Sequence, residues 1–231
     1  MKKLLVISLS VLVLGACRYR SGSGNIITEK RNTGTFTAIA VGGGFEVEIR
    51  HSDVTEVTVE ADDNLMKYIK TDVADGQLKI NLDNIHVHDA HLKVYLAAPE
   101  INDIKASAAA NVEVRDELKS GGSIQLHASS GAEIKTVLDA PGIIANASSG
   151  GELNLSGHTR DFKATVSSGS SINAKELQSE NTNVTASSGA SANVHASLQL
   201  VAKASSGANI TYKGAANVQK TVNSGGEVEK E

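Results

Sequence analysis

The stretch NASSGGELNL, residues 146–155, holds a Ser-Ser-Gly between two short segments in which apolar and polar residues alternate. Similar stretches return along the second half of the chain, and the last copy has Asn-Ser-Gly. When the copies are aligned on the glycine, the aligned positions are Gly131, Gly150, Gly169, Gly189, Gly207 and Gly225. The intervals are nearly equal, and the longest separates Gly169 from Gly189. A regular period of about 19 residues predicts a repeat architecture in which each copy packs against its neighbours.

Apolar residues occupy the columns three positions before and three positions after each glycine, and the columns one position farther out are polar. In the second copy the apolar pair is Ala147 and Leu153, and the polar pair is Asn146 and Asn154. Val222 occupies the apolar column of the last copy. This period of two predicts two half-buried strands that meet at a corner. A flexible linker would not keep apolar columns in phase, so we interpret Ser-Ser-Gly as the corner, where glycine permits a positive φ.

A copy of about 19 residues has a contour length of about 60 Å, which suits two or three short strands but not a helical crossover. Each copy is therefore predicted to form one coil of an all-β parallel β-helix, or solenoid. Strand twist and the handedness of parallel connections favour a right-handed coil. Weaker copies lie upstream, with Ala109 and Gly44 in the glycine column.

From residue 55 to residue 96 the pattern changes to plain strands, with one candidate helical turn at DDNLMKYI, residues 62–69. We therefore predict a single domain over residues 25–231. In it, residues 25–100 form a β-rich opening section that caps the solenoid, and residues 101–231 form the repeat coils.

The first seventeen residues, MKKLLVISLSVLVLGAC, have a cationic start and an apolar run too short to span a membrane. We predict an export signal over residues 1–16. Its end resembles the lipobox of bacterial lipoproteins, in which the cysteine receives a diacylglyceryl thioether. Cys17 is the only cysteine of the chain. The alternative is a plain secretory signal with a chance cysteine, which would leave an exported thiol without a disulfide partner.

Lipidation at Cys17 would hold the protein to a membrane, because several acyl chains on one residue anchor stably. Residues 17–24 are polar and rich in Gly and Ser, so they are predicted to form a tether. Arg18 stands where an acidic residue would resemble a signal for retention at the inner membrane. The expected location is therefore the cell envelope, with the outer membrane favoured.

Composition limits both the core and the partners. The chain has four tyrosines, three phenylalanines and no tryptophan, so the core must be built from Ala, Val, Ile and Leu. The 26 acidic and 22 basic residues give a net charge of −4, and loss of Lys2 and Lys3 with the signal would give 20 − 26 = −6. This balance excludes nucleic acid as a favoured partner.

Several stretches together resemble one bacterial family. They are the lipobox, FTAIAVGGGFEVEIRHSD (36–53), VYLAAPEINDIKAS (94–107) and the serial copies such as SSGSSIN (167–173). They are similar to the exported proteins called putative auto-transporter adhesins with a head GIN domain, which are common in Bacteroidetes. The resemblance covers about residues 25–230, and the Gly-Ile-Asn signature is matched only loosely. It implies a right-handed β-helix similar to pectin-lyase-like folds, a role in cell adhesion and no established catalytic residues.

NIHVHDAH, residues 84–91, is the one local cluster that suggests a metal. His86 and His88 would share one face of a strand, with Asp89 and His91 nearby, and imidazole with carboxylate suits zinc. The alternative is a solvated loop whose histidines are incidental. We favour the loop, so no metal or other cofactor is predicted.

Two patterns invite a catalytic interpretation. A serine at a sharp turn is the nucleophile of one class of hydrolase. Such an enzyme needs one serine with a histidine and an acid, whereas this chain has equivalent serines in every copy. Glu133 and Glu152 would stack about 4.8 Å apart, near the separation of a retaining glycosidase pair. Their column continues as Ser171, Ser191 and Asn209, with no bulky neighbours to form a cleft.

We therefore predict a noncatalytic envelope lipoprotein with an adhesin-like or scaffold role, which binds through the outward polar faces of the β-helix. Its partner would be a protein, a cell surface or a glycan. Two alternatives stay open: a polysaccharide-processing enzyme of lyase or hydrolase type, and an envelope glycan-binding module. The shortage of aromatic platforms argues against strong glycan binding.

Overall fold

The computed structural model describes residues 19–231, so the predicted signal peptide and Cys17 lie outside the described residues. This part of the chain has twenty strands and a 3₁₀ helix, Met66–Tyr68, at the place of the predicted helical turn. No helix in residues 19–231 is long and apolar enough to cross a membrane. The opening strands are β1 Tyr19–Ser21, β2 Ile26–Arg31, β3 Ala38–Val41, β4 Glu46–His51, β5 Glu56–Asp62, β6 Ile69–Ala74, β7 Gln77–Leu82, β8 His86–His88 and β9 Leu92–Ala98.

The repeat region consists of strands alone. Its strands are β10 Asp103–Ala106, β11 Asn111–Lys119, β12 Ser123–Ser129, β13 Glu133–Ser148, β14 Glu152–Val166, β15 Ser171–Ala186, β16 Ser191–His195, β17 Gln199–Ala204, β18 Asn209–Lys213, β19 Asn217–Val222 and β20 Glu227–Lys230. Stacked parallel coils form a β-solenoid of about seven turns, so the prediction of an all-β parallel solenoid is confirmed.

Eighteen strands form one continuous sheet that folds into two facing walls. The first wall follows each corner and has the order β2-β5-β9-β4-β11-β13-β14-β15-β16-β18-β20. The second wall precedes each corner and has the order β6-β7-β3-β10-β12-β13-β14-β15-β17-β19. The long strands β13, β14 and β15 belong to both walls.

The pairing register reproduces the spacing of the glycines in the sequence. Ile134 pairs with Leu153, and each residue lies three positions after the glycine of its own copy. A register shift follows Asn154, between β14 and β15, and accounts for the longer interval between Gly169 and Gly189. Because the period of a strand is two, this register keeps the apolar columns facing inward from coil to coil.

Each corner has two residues in the left-handed region. In the second copy Ser149 has a φ of 50° and Gly150 a φ of 75°. The N–H of Gly150 donates to the carbonyl oxygen of Ser168 at 3.2 Å, and that of Gly131 donates to the carbonyl oxygen of Ser149 at 3.2 Å. The corners therefore extend the hydrogen-bonded ladder between coils. The sequence pattern indicates the positive φ of the glycine but not that of the serine before it.

The inward columns form the core, with one exception. Ala147 is 3% exposed and Leu153 is fully buried, as predicted. Val222 is 44% exposed, and its prediction as an inward residue is wrong. Within residues 19–231, β19 pairs only with β17, so no further coil covers Val222 or the exposed Lys220 beside it.

The opening section places its coils out of chain order. β3 and β4 pair with β10 and β11 on one side and with β7 and β9 on the other. In chain order, β3 and β4 therefore form the second coil of the stack, and β7 and β9 then form the outer coil beside it. The chain next passes to the other side of the second coil, where β10 and β11 begin the repeats. Antiparallel strands β2, β5 and β6 end the stack at this cap end.

The segment predicted as a tether differs from the structure in its described part, because residues 19–24 lie against the cap end. β1 pairs in parallel with β8. Gly24 N–H donates to Asp62 Oδ1 at 2.7 Å, and Ser23 Oγ donates to Asp63 Oδ1 at 2.6 Å. Asn64 Nδ2 donates to the carbonyl oxygen of Ser21 at 2.9 Å. Small Gly and Ser residues allow this close approach as readily as they allow a flexible linker.

Candidate functional site

The outer surface of the first wall, here called the first face, shows two long rows of polar side chains. In-register parallel strands place equivalent residues about 4.8 Å apart along such rows. The row two positions after the corner is Glu46, Asn111, Glu133, Glu152, Ser171, Ser191, Asn209 and Glu227. The row four positions after it is Glu48, Glu113, Lys135, Asn154, Asn173, Asn193, Thr211 and Glu229.

A compact charge cluster centres on Glu48 at the cap end of the first face. Glu48 Oε1 lies 2.9 Å from Arg50 Nη2, and Glu48 Oε2 lies 3.1 Å from Arg115 Nη2. Lys93 Nζ is 3.9 Å from the same Oε2. Hydrogen bonds from Arg50 and then from Arg115 hold the pKa of the Glu48 carboxyl below its ordinary value. One carboxylate faces three cations in this cluster, so the cap end of the first face keeps a positive charge there.

The stacked pair Glu133 and Glu152 shares one partner. Asn154 Nδ2 lies 3.0 Å from Glu133 Oε1 and 2.9 Å from Glu152 Oε1, so the amide bridges the two carboxylates. Both side chains lie on the open outer surface of the wall, Glu133 half-buried and Glu152 exposed. Such oxygens can accept hydrogen bonds from hydroxyl or amide groups of a partner.

The first face ends in a second acidic pair on the last strand. The Glu229 carboxylate accepts a hydrogen bond from the protonated Glu227 carboxyl and repels its charged form, and both effects raise the pKa of the Glu227 carboxyl. Among the described strands, β20 pairs only with β18, so this end of the stack combines a free strand edge with like charges. Like charges on an edge discourage the addition of another chain.

A groove of about 450 Å³ crosses the outer surface of the second wall, here called the second face. Its polar lining includes Arg160, Asp161, Lys163, Asn181 and Asn183, and its apolar lining includes Ile144 and Val201. We call it the second-face groove. Its lining comes from β12, β13, β14, β15 and β17, so a ligand in it would contact five successive coils.

An ordered polar group lies at the edge of the second-face groove. Arg160 Nε donates to Asp161 Oδ2 at 2.8 Å, and Asn181 Nδ2 donates to Asp161 Oδ1 at 3.0 Å. Both hydrogen bonds lower the pKa of the Asp161 carboxyl, and the bond from Arg160 has the larger effect. The next position in this row is Gly142, where a Cβ would lie 2.7 Å from Ser123 Oγ. Ser123 Oγ therefore occupies the place that a side chain at position 142 would take.

No pattern in the sequence marks this groove as a site. Its residues belong to no motif, and the one signal is a glycine in a row that Ser123, Asp161 and Asn181 fill with polar side chains. The groove offers cationic and amide donors together with carboxylate acceptors, and it has aliphatic walls. This combination suits a polar chain with many hydroxyl or amide groups.

The three candidate metal ligands have three different partners. The His86 ring lies 5.5 Å from that of Tyr19, His88 Nδ1 is 3.2 Å from Asp89, and His91 Nε2 is 2.7 Å from Glu60 Oε1. Within residues 19–231, no group of three or more His, Cys, Asp or Glu side chains is placed to hold a metal ion.

Solved structures with the same fold are known. A putative adhesin from Bacteroides fragilis is similar with a TM-score of 0.85 at 17% identity, over 91% of this chain and 99% of that chain. A putative adhesin from Parabacteroides distasonis gives 0.76 at 23% identity, over 92% of this chain and 100% of that chain. A putative lipid binding protein from the same species gives 0.74 at 20% identity, over 93% and 100%. None of the curated proteins matches the sequence.

The family model described as "Putative auto-transporter adhesin, head GIN domain" matches residues 35–216. The match begins just before β3 and ends just before β19, so it includes most of both walls and all the coils that line the second-face groove. The chain belongs to this family of adhesin-like proteins with a head GIN domain.

Proposed function

We propose that the protein is a noncatalytic contact protein of the cell envelope, with an adhesin-like role in which the second-face groove binds a polar chain on a partner surface. The observation that supports this most is the ordered Arg160, Asp161 and Asn181 group beside a groove that crosses five coils. Many weak polar contacts repeated along a rigid surface give useful binding when several copies act together.

A glycan is the second candidate for the bound chain. Sugar hydroxyls both donate and accept hydrogen bonds, as the amides and the carboxylate of the groove do. The aliphatic side chains of Ile144 and Val201 would contact the apolar faces of the sugar rings. The groove lining contains one aromatic residue, Phe162, which is 2% exposed, so low affinity for each site is expected.

A matched pair of asparagines on β15 tests the groove. Asn183 and Asn173 are both exposed, but Asn183 lines the groove and Asn173 lies on the first face. The soluble form, residues 18–231, is passed over immobilised envelope and host glycans and over cell-surface protein. Asn183→Ala should reduce retention, and Asn173→Ala should leave it unchanged. Equal retention of both variants would contradict the assignment, and turnover of any glycan would overturn the noncatalytic role.

Membrane attachment through Cys17 is the other part of the proposal, and the lipobox-like ending Leu14-Gly15-Ala16-Cys17 supports it. Cys17→Ser should move the protein from the membrane fraction to the soluble fraction, because it removes the acyl-acceptor thiol. Membrane partitioning equal to that of the wild type would overturn the anchor. Separation of inner and outer membranes would test the preference for the outer membrane that Arg18 supports.

A further inference from the structure

The described chain begins at the cap end of the solenoid. β1 is bonded to β8, and residues 21–24 are bonded to Asp62, Asp63 and Asn64 at the end of β5. The chain then enters β2, the edge strand of the first wall. From the outer coil of β9 to the last strand β20, the first wall contains eight strand spacings, or about 38 Å. The N-terminal segment and the last coil therefore lie at opposite ends.

Very little chain separates the cap end from the expected anchor. Cys17 and Tyr19 are two residues apart, and two residues span at most about 7 Å. The headgroup layer on each side of a bilayer is of similar thickness. If Cys17 carries the lipid, as the proposed function requires, the cap end has no free tether with which to stand away from the membrane.

The side chains at the cap end suit a membrane surface. Tyr19 is 65% exposed and Ile26 is 42% exposed, although both are large and apolar. The guanidinium carbon of Arg20 lies 4.9 Å from the centre of the Tyr68 ring, and Lys67 Nζ lies 5.2 Å from it. Tyrosine is enriched at the membrane interface, and Arg and Lys place their charge among headgroup phosphates while their stems cover apolar surface.

We propose that this cap surface, made of Tyr19, Arg20, Ile26, Lys67 and Tyr68, lies on the headgroup layer of a phospholipid bilayer. The inference rests on the proposed lipidation of Cys17 and adds an orientation to it. The solenoid then points away from the membrane, and the coil of β19 and β20 is the part farthest from the lipid. Exposed Asp63 and Asp89 beside the surface limit its net positive charge, so a phosphocholine headgroup layer is sufficient as the partner.

Single tryptophans test this orientation, because the natural sequence has none. The lipidated full-length chain is made with Tyr68→Trp at the cap or with Val222→Trp at the far end, where Val222 is 44% exposed. Each protein is bound to phosphatidylcholine vesicles that carry a headgroup spin label. We expect loss of fluorescence from the reporter at position 68. The reporter at position 222 should keep the fluorescence that it shows without the label.

Flotation of the vesicles separates the two proposals. A wild-type chain that fails to float, or a Cys17→Ser form that floats equally well, would overturn the anchor and this inference with it. A chain that floats through Cys17 but shows equal quenching at both positions, or none at position 68, would overturn the orientation alone. The position-68 reporter lies on the folded domain, far from Cys17 in sequence, so its quenching reports the domain and not the attached segment.

Discussion

Ala147→Asp tests the inward facing of the alanine column. Ala147 is 3% exposed and lies between Ala128 and Val166 of the neighbouring coils. The nearby backbone N–H groups are already used, as when Ser167 N–H donates to the carbonyl oxygen of Ala147 at 3.0 Å. A carboxylate there would be buried without a donor, and it would also overfill the core. Together these effects should lower the free energy of unfolding by about 4 kcal/mol or more.

For a chain of this size, 1 kcal/mol corresponds to about 2–4 °C, so the expected fall in melting temperature is about 8–16 °C. The matched control is Asn146→Asp, one residue away and outward, between His127 and Thr165, where the change should stay within about 0.5 kcal/mol. Thermal unfolding followed by circular dichroism measures both. Equal melting temperatures would refute the assigned facing and hence the register of the coils.

The pH dependence adds an independent check on Ala147→Asp. Burial raises the pKa of the introduced carboxyl in the folded state above its unfolded value of about 3.9. The folded state then binds more protons than the unfolded state, so the stability of the variant falls as pH rises. Its deficit relative to the wild type should therefore shrink as the pH is lowered from 7 towards 4. A deficit that stays constant with pH would indicate that the carboxyl reaches water.

Gly157→Ala should cost about 3 kcal/mol or more, because Gly157 has a φ of 108° and a Cβ would lie 2.1 Å from the carbonyl oxygen of Leu138. Gly150→Ala, with a φ of 75° and no atom nearer than 4.0 Å, should cost only about 1 kcal/mol, and equal losses in urea unfolding would contradict this reasoning. The pKa of Glu48 is lowered by Arg50, so its contribution to stability is present above the unfolded pKa and is lost as pH falls through the folded one. The Glu48→Gln variant should therefore have a lower melting temperature than the wild type at pH 7, and its melting temperature should fall less between pH 7 and pH 3. Equal falls in the melting temperatures of the two proteins over this pH range would argue against this role of Glu48.

The repeat coils could be predicted because the sequence marks each corner and each inward position. The regular intervals between the glycines specify the pairing of neighbouring coils, and Leu153 and Ala147 face inward as their columns indicate. The pattern fails at Val222 because alternation describes a strand, whereas burial depends on a further coil, and residues 19–231 supply none at this end.

Other features depend on contacts between segments that are distant in sequence. Nothing in the local pattern of β3 shows that it pairs with β10, because β4 to β9 intervene. The attachment of Ser23 to Asp63 has the same cause. The second-face groove requires three coils to bring Arg160, Asn181 and the side-chain-free Gly142 together, and none of them is distinctive alone.

The corner ladder also bears on how such proteins evolve. From β12 to β20 of the described chain, each coil pairs only with the coils directly before and after it. Corners such as Ser149–Gly150 and Ser168–Gly169 have the same left-handed geometry. Duplication or deletion of one segment of about 19 residues would therefore join equivalent positions of two coils and keep the strands in register. Unequal recombination between copies would change the length of the rod by about 4.8 Å per coil. Descendants could differ in reach while they keep the same cap and the same last coil.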